Sequence, residues 1–155
     1  PAFRIASRAR LALVPHGGEL LGPASVTDVL DHLRPDRLGH GVRATESADV
    51  LHRAVDADVS FEVCPGSNVA LGVYADPSHV PLRRLREAGA RVALAADDPL
   101  LFGSRLVDQY EIARTAHGFD DAEIADLARG SVDASRAPAD VKARLHSGID
   151  AWLAE

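Results

Sequence analysis

Methionine is absent from the 155 residues, cysteine occurs once, and Lys142 stands alone against sixteen arginines. The single thiol, Cys64, excludes an intrachain disulfide and points to a reducing, cytoplasmic setting. No apolar run approaches the roughly 20 residues that cross a bilayer, so no membrane partner is expected. Aromatic residues make up only 5%, and the net charge of −6 argues against a nucleic-acid groove. No charged-then-apolar leader opens the chain, and Pro1-Ala2-Phe3-Arg4 reads as the middle of a helix, so sequence before Pro1 is expected to be missing. His-x-His occurs nowhere, which removes one compact way of presenting two imidazoles to a metal.

What is present is the composition of a folded chain, 46% hydrophobic and 26% charged. Short apolar runs alternate with helix-period segments roughly every 25 to 35 residues, as parallel strands joined by crossover helices do. The pattern predicts strands at Leu11–Val14, at Leu38, over Val59–Cys64 and over Arg91–Ala95. Helices are predicted over Phe3–Ala9, Ala24–Leu33, a segment capped by Ser47 that carries Val50, Leu51, Ala54 and Val55, and Pro81–Ala88. Beyond Pro99 the periodicity is helical, over Leu106–Ala116, Asp120–Arg129 and Pro138–Leu153. No low-complexity linker divides residues 1–155, which read as a single unit. Four strand-helix units with polar strand ends make half of a (β/α)8 barrel, an α/β fold that takes roughly 250 residues when complete.

Three of these strands end in groups that are costly to bury. Leu11-Ala12-Leu13-Val14-Pro15 runs into His16-Gly17-Gly18-Glu19, Asp36-Arg37-Leu38 into Gly39-His40-Gly41, and Val92-Ala93-Leu94 into Ala95-Ala96-Asp97-Asp98-Pro99. Each has a plain reading: Glu19 as a solvated acid in a turn, His40 as a structural strand-end imidazole, Asp97 as the cap of the next turn. Taken together they describe metal-assisted hydrolysis. Zinc accepts imidazole nitrogen and carboxylate oxygen and needs at least three protein ligands beside an open position, of which His16 and one Asp supply two. Glu19 could then trade protons while His40 orients the nucleophile. The other imidazoles, His32, His52, His79, His117 and His146, are expected at the surface.

With Phe61-Glu62-Val63-Cys64-Pro65-Gly66-Ser67-Asn68 and the extension Leu100-Leu101-Phe102, these blocks stand in the order and spacing of the adenosine deaminase family of metal-dependent aminohydrolases. The resemblance covers almost the whole chain. It implies a partial (β/α)8 TIM barrel of the amidohydrolase type, its fifth to eighth strands with crossover and C-terminal helices. It also implies zinc-dependent hydrolytic deamination of adenosine or a related 6-aminopurine nucleoside to the 6-oxo product and ammonia. In that picture His16 and Asp97 are zinc ligands, Glu19 protonates ring nitrogen N1, and His40 holds and polarises the attacking water. Asp97 also accepts from that water, Asp98 hydrogen-bonds ring nitrogen N7, and Gly18 lines the purine pocket. Ser67 and Asn68 brace the loops, and Cys64 is a buried small apolar side chain. The run from Asp97 to Ser104 with Gln109-Tyr110 is similar to bacterial branches of the family, which admits aminodeoxyfutalosine or free adenine as alternative substrates.

The family usually shows Ala where Gly17 stands and often a hydroxyl residue where Ala96 stands. Its remaining two zinc ligands form a His-x-His on the first strand, and a strand-four glycine lies near the sugar; neither matches any residue here. The 155 residues alone are therefore expected not to hold zinc in the family's manner and to be inactive or nearly so. A rival of another class is a catalytically inactive half-barrel that acts only by binding. Its open strand edges and apolar interior would favour self-association or pairing with a missing N-terminal half.

Overall fold

A computed structural model describes residues 2–155; Pro1, read from the sequence as lying within a helix, falls outside them. Helix α1 (Ala2–Arg8) leads to strand β1 (His16–Gly17), and α2 (Pro23–Leu33) crosses to β2 (Arg37–His40). A 3-10 turn at Val42–Glu46 and α3 (Ala48–Asp56) precede β3 (Ser60–Val63). Helices α4 (Pro65–Ala70) and α5 (Leu82–Glu87) then lead to β4 (Val92–Leu94). Four more helices follow: α6 (Pro99–Phe102), α7 (Leu106–His117), α8 (Asp121–Ala134) and α9 (Ala139–Leu153).

The strands form one parallel sheet in the order β1-β2-β3-β4, with His16 opposite Gly39, Leu38 opposite Phe61, and Phe61 opposite Val92. Because every neighbour is parallel, each connection must return the chain to the same end of the sheet, so all four strands finish at one mouth. Phe61, Val63, Val92 and Leu94 are buried, as expected for strands covered on both faces. Helix starts follow local chemistry: Pro23 opens α2, Ser47 Oγ accepts from the Val50 amide before α3, and Asp120 and Glu123 cap α8 reciprocally. Leu38, Val42, Leu82, Leu85, Phe119 and Leu127 join the strand residues in one core.

The first predicted strand is displaced. Leu11–Val14 is not laddered, although it runs beside β2: the Leu13 amide donates to Asp36 Oδ2 (2.7 Å), and the Leu13 carbonyl accepts from Asp36 and Arg37. Pro15 has no amide hydrogen, so strand pairing begins at His16. Helix α4 was not visible in the pattern, and α8 runs five residues past the predicted end at Arg129, to Ala134. Of the five imidazoles expected at the surface, His32, His52 and His79 are exposed. His117 and His146 are instead half-buried. The first packs against Phe119 with ring centroids 6.1 Å apart, and the second pairs with Asp133 Oδ1 at 2.9 Å. Among the described residues no helix is long and apolar enough to cross a membrane, and the outer edges of β1 and β4 have no strand partner.

Candidate active site

The mouth of the sheet gathers four of the residues singled out from sequence. His16 begins β1, and its ring lies over Gly39 of β2 so closely that a Cβ there would sit 2.5 Å from His16 Cδ2. Glu19 follows on a loop that turns at Gly18, where φ is +67° and an added Cβ would stand 2.4 Å from Val26 Cγ2. That loop is clamped on both sides of Glu19. The Gly18 amide donates to Ser25 Oγ, the Arg43 amide donates to the Gly18 carbonyl, and the Arg43 guanidinium donates to the Leu20 carbonyl (2.7 Å).

His40 closes β2 with φ +68°, and Asp97 follows β4 with φ +59°. Left-handed backbone at non-glycine residues is uncommon and persists where surrounding structure enforces it. His40 is 3% exposed. Its ring stands nearly perpendicular to that of His16, centroids 4.9 Å apart, and its Nδ1 lies 3.4 Å from Glu19 Oε1. These two atoms are close enough to interact by charge, yet neither has a hydrogen-bond partner. Asp97 is held from the other side by the Ser67 hydroxyl, which donates to Oδ2 at 2.5 Å.

Burial first, and the Asp97 carboxylate second, raise the Glu19 carboxyl above its ordinary 4.5, with His16 opposing. Burial and then His16 lower the His40 imidazole below 6.5, with Asp97 and Glu62 opposing. Burial thus shifts both groups toward their uncharged forms. Burial, reinforced by Asp97, Glu62 and Glu19, pushes the Cys64 thiol up to about 12.

Two sets of potential metal donors overlap here: His16, Glu19 and His40, and His40, Cys64 and Asp97, the atoms of each set lying within 4.8 Å of one another. Imidazole nitrogen with carboxylate oxygen suits zinc, and the orphaned Glu19 Oε1 and His40 Nδ1 are buried polar atoms that call for a partner. The donors fit zinc in kind. In number His16 and Asp97 make an incomplete pair, and they meet only through His40, which belongs to both sets. A cavity of about 220 Å³ opens between them, lined by His16, His40, Glu62, Cys64 and Asp97. Larger cavities, of about 570 and 450 Å³, lie between α2 and α3 and among α7, α8 and α9; neither holds a comparable donor set.

Asp98 is placed differently from its neighbour. Its Oδ1 accepts from the amides of Leu100 and Leu101 and caps α6, and it does not line the cavity beside Asp97. The capping role considered for Asp97 thus falls to Asp98. Glu62 was given no role from sequence, and Ser67 only that of bracing the loops. Glu62 alternates out of β3 to pair with Arg37 Nε (3.3 Å) at the cavity wall, and Ser67 sits on the unforeseen α4. Gln109 is wholly buried behind them, accepting from the Gly66 amide and donating to Ser104 Oγ.

A sequence profile of the adenosine deaminase family matches residues 1–152. The chain belongs to this family. A Streptomyces coelicolor relative assigned as an adenosine/adenine deaminase is 63% identical over 152 residues, 98% of this chain and 44% of its own. An adenine deaminase of Sinorhizobium medicae is 50% identical over 149 residues, 96% of this chain and 46% of its own. The crystal structure of an adenine deaminase from Arthrobacter aurescens superposes with a TM-score of 0.94 at 33% identity, covering 99% of this chain and 47% of that one. The chain therefore spans less than half the length of the relatives it matches, and its four sequential parallel strands are a partial (β/α)8 barrel.

Proposed function

We propose that residues 1–155 act as one unit, the C-terminal half of a barrel whose complete form hydrolyses the 6-amino group of adenosine or a related 6-aminopurine. The products are the 6-oxo compound and ammonia. One observation carries the reading: His16, Glu19, His40 and Asp97, drawn from three separate stretches of sequence, meet at one mouth with orphaned polar atoms facing one another. Family membership adds to it, and the adenine deaminases among the relatives favour free adenine among the alternative substrates.

His16 and Asp97 would hold a zinc ion, with the remaining ligands supplied by the part of the barrel outside this chain. Bound there, zinc would make water acidic enough to act as a nucleophile near neutral pH. Glu19, favoured in its protonated form, delivers a proton to ring nitrogen N1, which draws electron density from C6 as the nucleophile adds. His40, shifted toward its neutral form by burial, would fix the direction of the nucleophile by a hydrogen bond. Ser67 positions the Asp97 carboxylate. Asp98 has Oδ2 free of its helix-cap contacts, and a proton held between it and ring nitrogen N7 would complete a hydrogen bond there.

Since this chain offers two of the ligands, we expect no turnover from it alone. Ammonia release from adenine and from adenosine tests the reading, with the purified chain compared against a complete barrel carrying it. Release by the barrel and none by the chain is expected; a complete barrel inert toward both purines contradicts it. A second reading, a half-barrel that acts by association, draws on the open edges of β1 and β4 and on Leu100, 98% exposed beside the exposed Leu101, Leu106 and Val107. Sedimentation tests it: a stable monomer without partner or ligand counts against it.

A further inference from the structure

Glu19 is the group asked above to deliver a proton, yet among the described residues its Oε1 is buried and has no hydrogen-bond partner. The direction of its carboxyl is therefore set by backbone, and one residue holds that backbone on both sides. The Arg43 amide donates to the carbonyl of Gly18, the residue before Glu19, at 2.9 Å. The Arg43 guanidinium donates from Nη1 to the carbonyl of Leu20, the residue after it, at 2.7 Å. Its other two nitrogens fork onto Glu46, Nε to Oε1 at 2.7 Å and Nη2 to Oε2 at 3.3 Å. With every nitrogen of the planar group engaged, its orientation is fixed.

Arg43 is itself well anchored. It lies in the 3-10 turn Val42–Glu46 directly after β2, where Val42, Ala44 and Thr45 are buried and the Thr45 hydroxyl donates to the Val42 carbonyl. Gly41 enters that turn with φ +74°, and a Cβ there would stand 2.5 Å from Phe61 Cδ1, so the turn is seated against the core. Arg43 does not line the cavity shared by His16, His40 and Asp97. With Glu19, Leu20 and Glu46 it lines another, of about 270 Å³. Room on that side would let an unclamped loop carry the Glu19 carboxyl away from His40.

We propose that Arg43, oriented by Glu46, is a positioning residue for Glu19. The inference rests on the proposed function, because Glu19 must be the proton donor for its placement to govern the rate. Misplacing a reacting group by about 1 Å costs up to about 100-fold in rate. The Arg43 and Glu46 side chains are 32% and 44% exposed, and ion pairs so exposed add little to stability. Loss of the guanidinium therefore lowers the rate without unfolding the protein.

The test uses a complete barrel carrying this half and ammonia release from adenine or adenosine, whichever it turns over. Arg43→Ala keeps the backbone bond to Gly18 and removes only the guanidinium. It is expected to lower kcat by about 10- to 100-fold, with KM within about 2-fold of wild type and Tm nearly unchanged. The deciding variant is the double one: if Arg43 acts through Glu19, adding Arg43→Ala to Glu19→Gln changes kcat by less than about 2-fold. A wild-type kcat in Arg43→Ala while Glu19→Gln is impaired overturns the proposal alone, as does a full further loss in the double variant. Wild-type kcat in both single variants refutes Glu19 as the donor, and the proposed function with it. Hydrogen exchange in the purified 155-residue chain reads the clamp independently of turnover. Arg43→Ala is expected to speed exchange of the Gly18 amide, which donates to Ser25 Oγ, by more than about 10-fold; unchanged exchange there overturns the proposal.

Discussion

The mouth of the sheet and the outer helical layer treat charge in opposite ways. On the outside, Arg83 and Arg86 converge on Glu123, Arg86 also reaches Asp126, and both guanidinium groups stack near the Phe119 ring at 4.5 and 5.8 Å. Each of these four charges has a partner and solvent nearby. At the mouth, His40 Nδ1 and Glu19 Oε1 face each other buried and without hydrogen bonds, and His40 and Asp97 hold left-handed backbone. A fold selected only for stability would resolve such conflicts, since unpaired buried polar groups and backbone strain each cost free energy. Their concentration at one end of the sheet sets the mouth apart from the outer layer.

The sharpest break between the regions is catalytic. In a complete barrel carrying this half, Glu19→Gln is expected to lower kcat/KM by about 10²- to 10⁴-fold, the usual contribution of a general acid, with little change in thermal stability. Steady-state ammonia release measures it, and unchanged kinetics would remove Glu19 from the reaction. Next in size is a single methyl group. Gly18→Ala is expected to destabilise by about 1–3 kcal/mol in urea unfolding, because alanine meets both the positive φ and the Val26 side chain.

A smaller effect is expected of pH at His117, on the outer side. Burial and then Arg83 lower its folded pKa below 6.5, and a hydrogen bond with Pro77 opposes them. The unfolded chain therefore binds the proton more readily, so this stabilisation is full above 6.5 and is lost as pH falls from there through the lower folded value. Melting temperatures of His117→Gln should fall less than wild type on acidification; parallel curves would show that the ring carries no such linkage. Smallest of all, Arg86→Ala should leave the urea midpoint close to wild type, since surface ion pairs contribute little. A loss larger than that of Gly18→Ala would reverse the contrast between the two regions.

Much of this was legible in the sequence because parallel strands force polar ends to one side. His16 and Asp97 each follow an apolar run, His40 follows the strand residue Leu38, and the alternation with helices places the three together. Leu11–Val14 misled because apolar content signals burial, whereas pairing requires amide hydrogens that Pro15 lacks. Asp97 and Asp98 are indistinguishable by composition; only the chain direction after β4 makes one a cap and the other a site carboxylate. His117 lay on a predicted helix end, and nothing local announces that Phe119 will fold over it. The Ser67 bond to Asp97 spans 30 positions and depends on α4, whose six residues are too few to show a helical period.

The central claim is that this chain carries one half of a divided hydrolytic site. The most direct measurement is ammonia release from adenine, with zinc present, by the purified chain, by the N-terminal half of a full-length family member, and by the two together. Release only from the combination, at a rate that Asp97→Ala in this chain abolishes, is the predicted result. Release by the 155 residues alone would contradict it, because His16 and Asp97 would then suffice without the ligands placed in the other half.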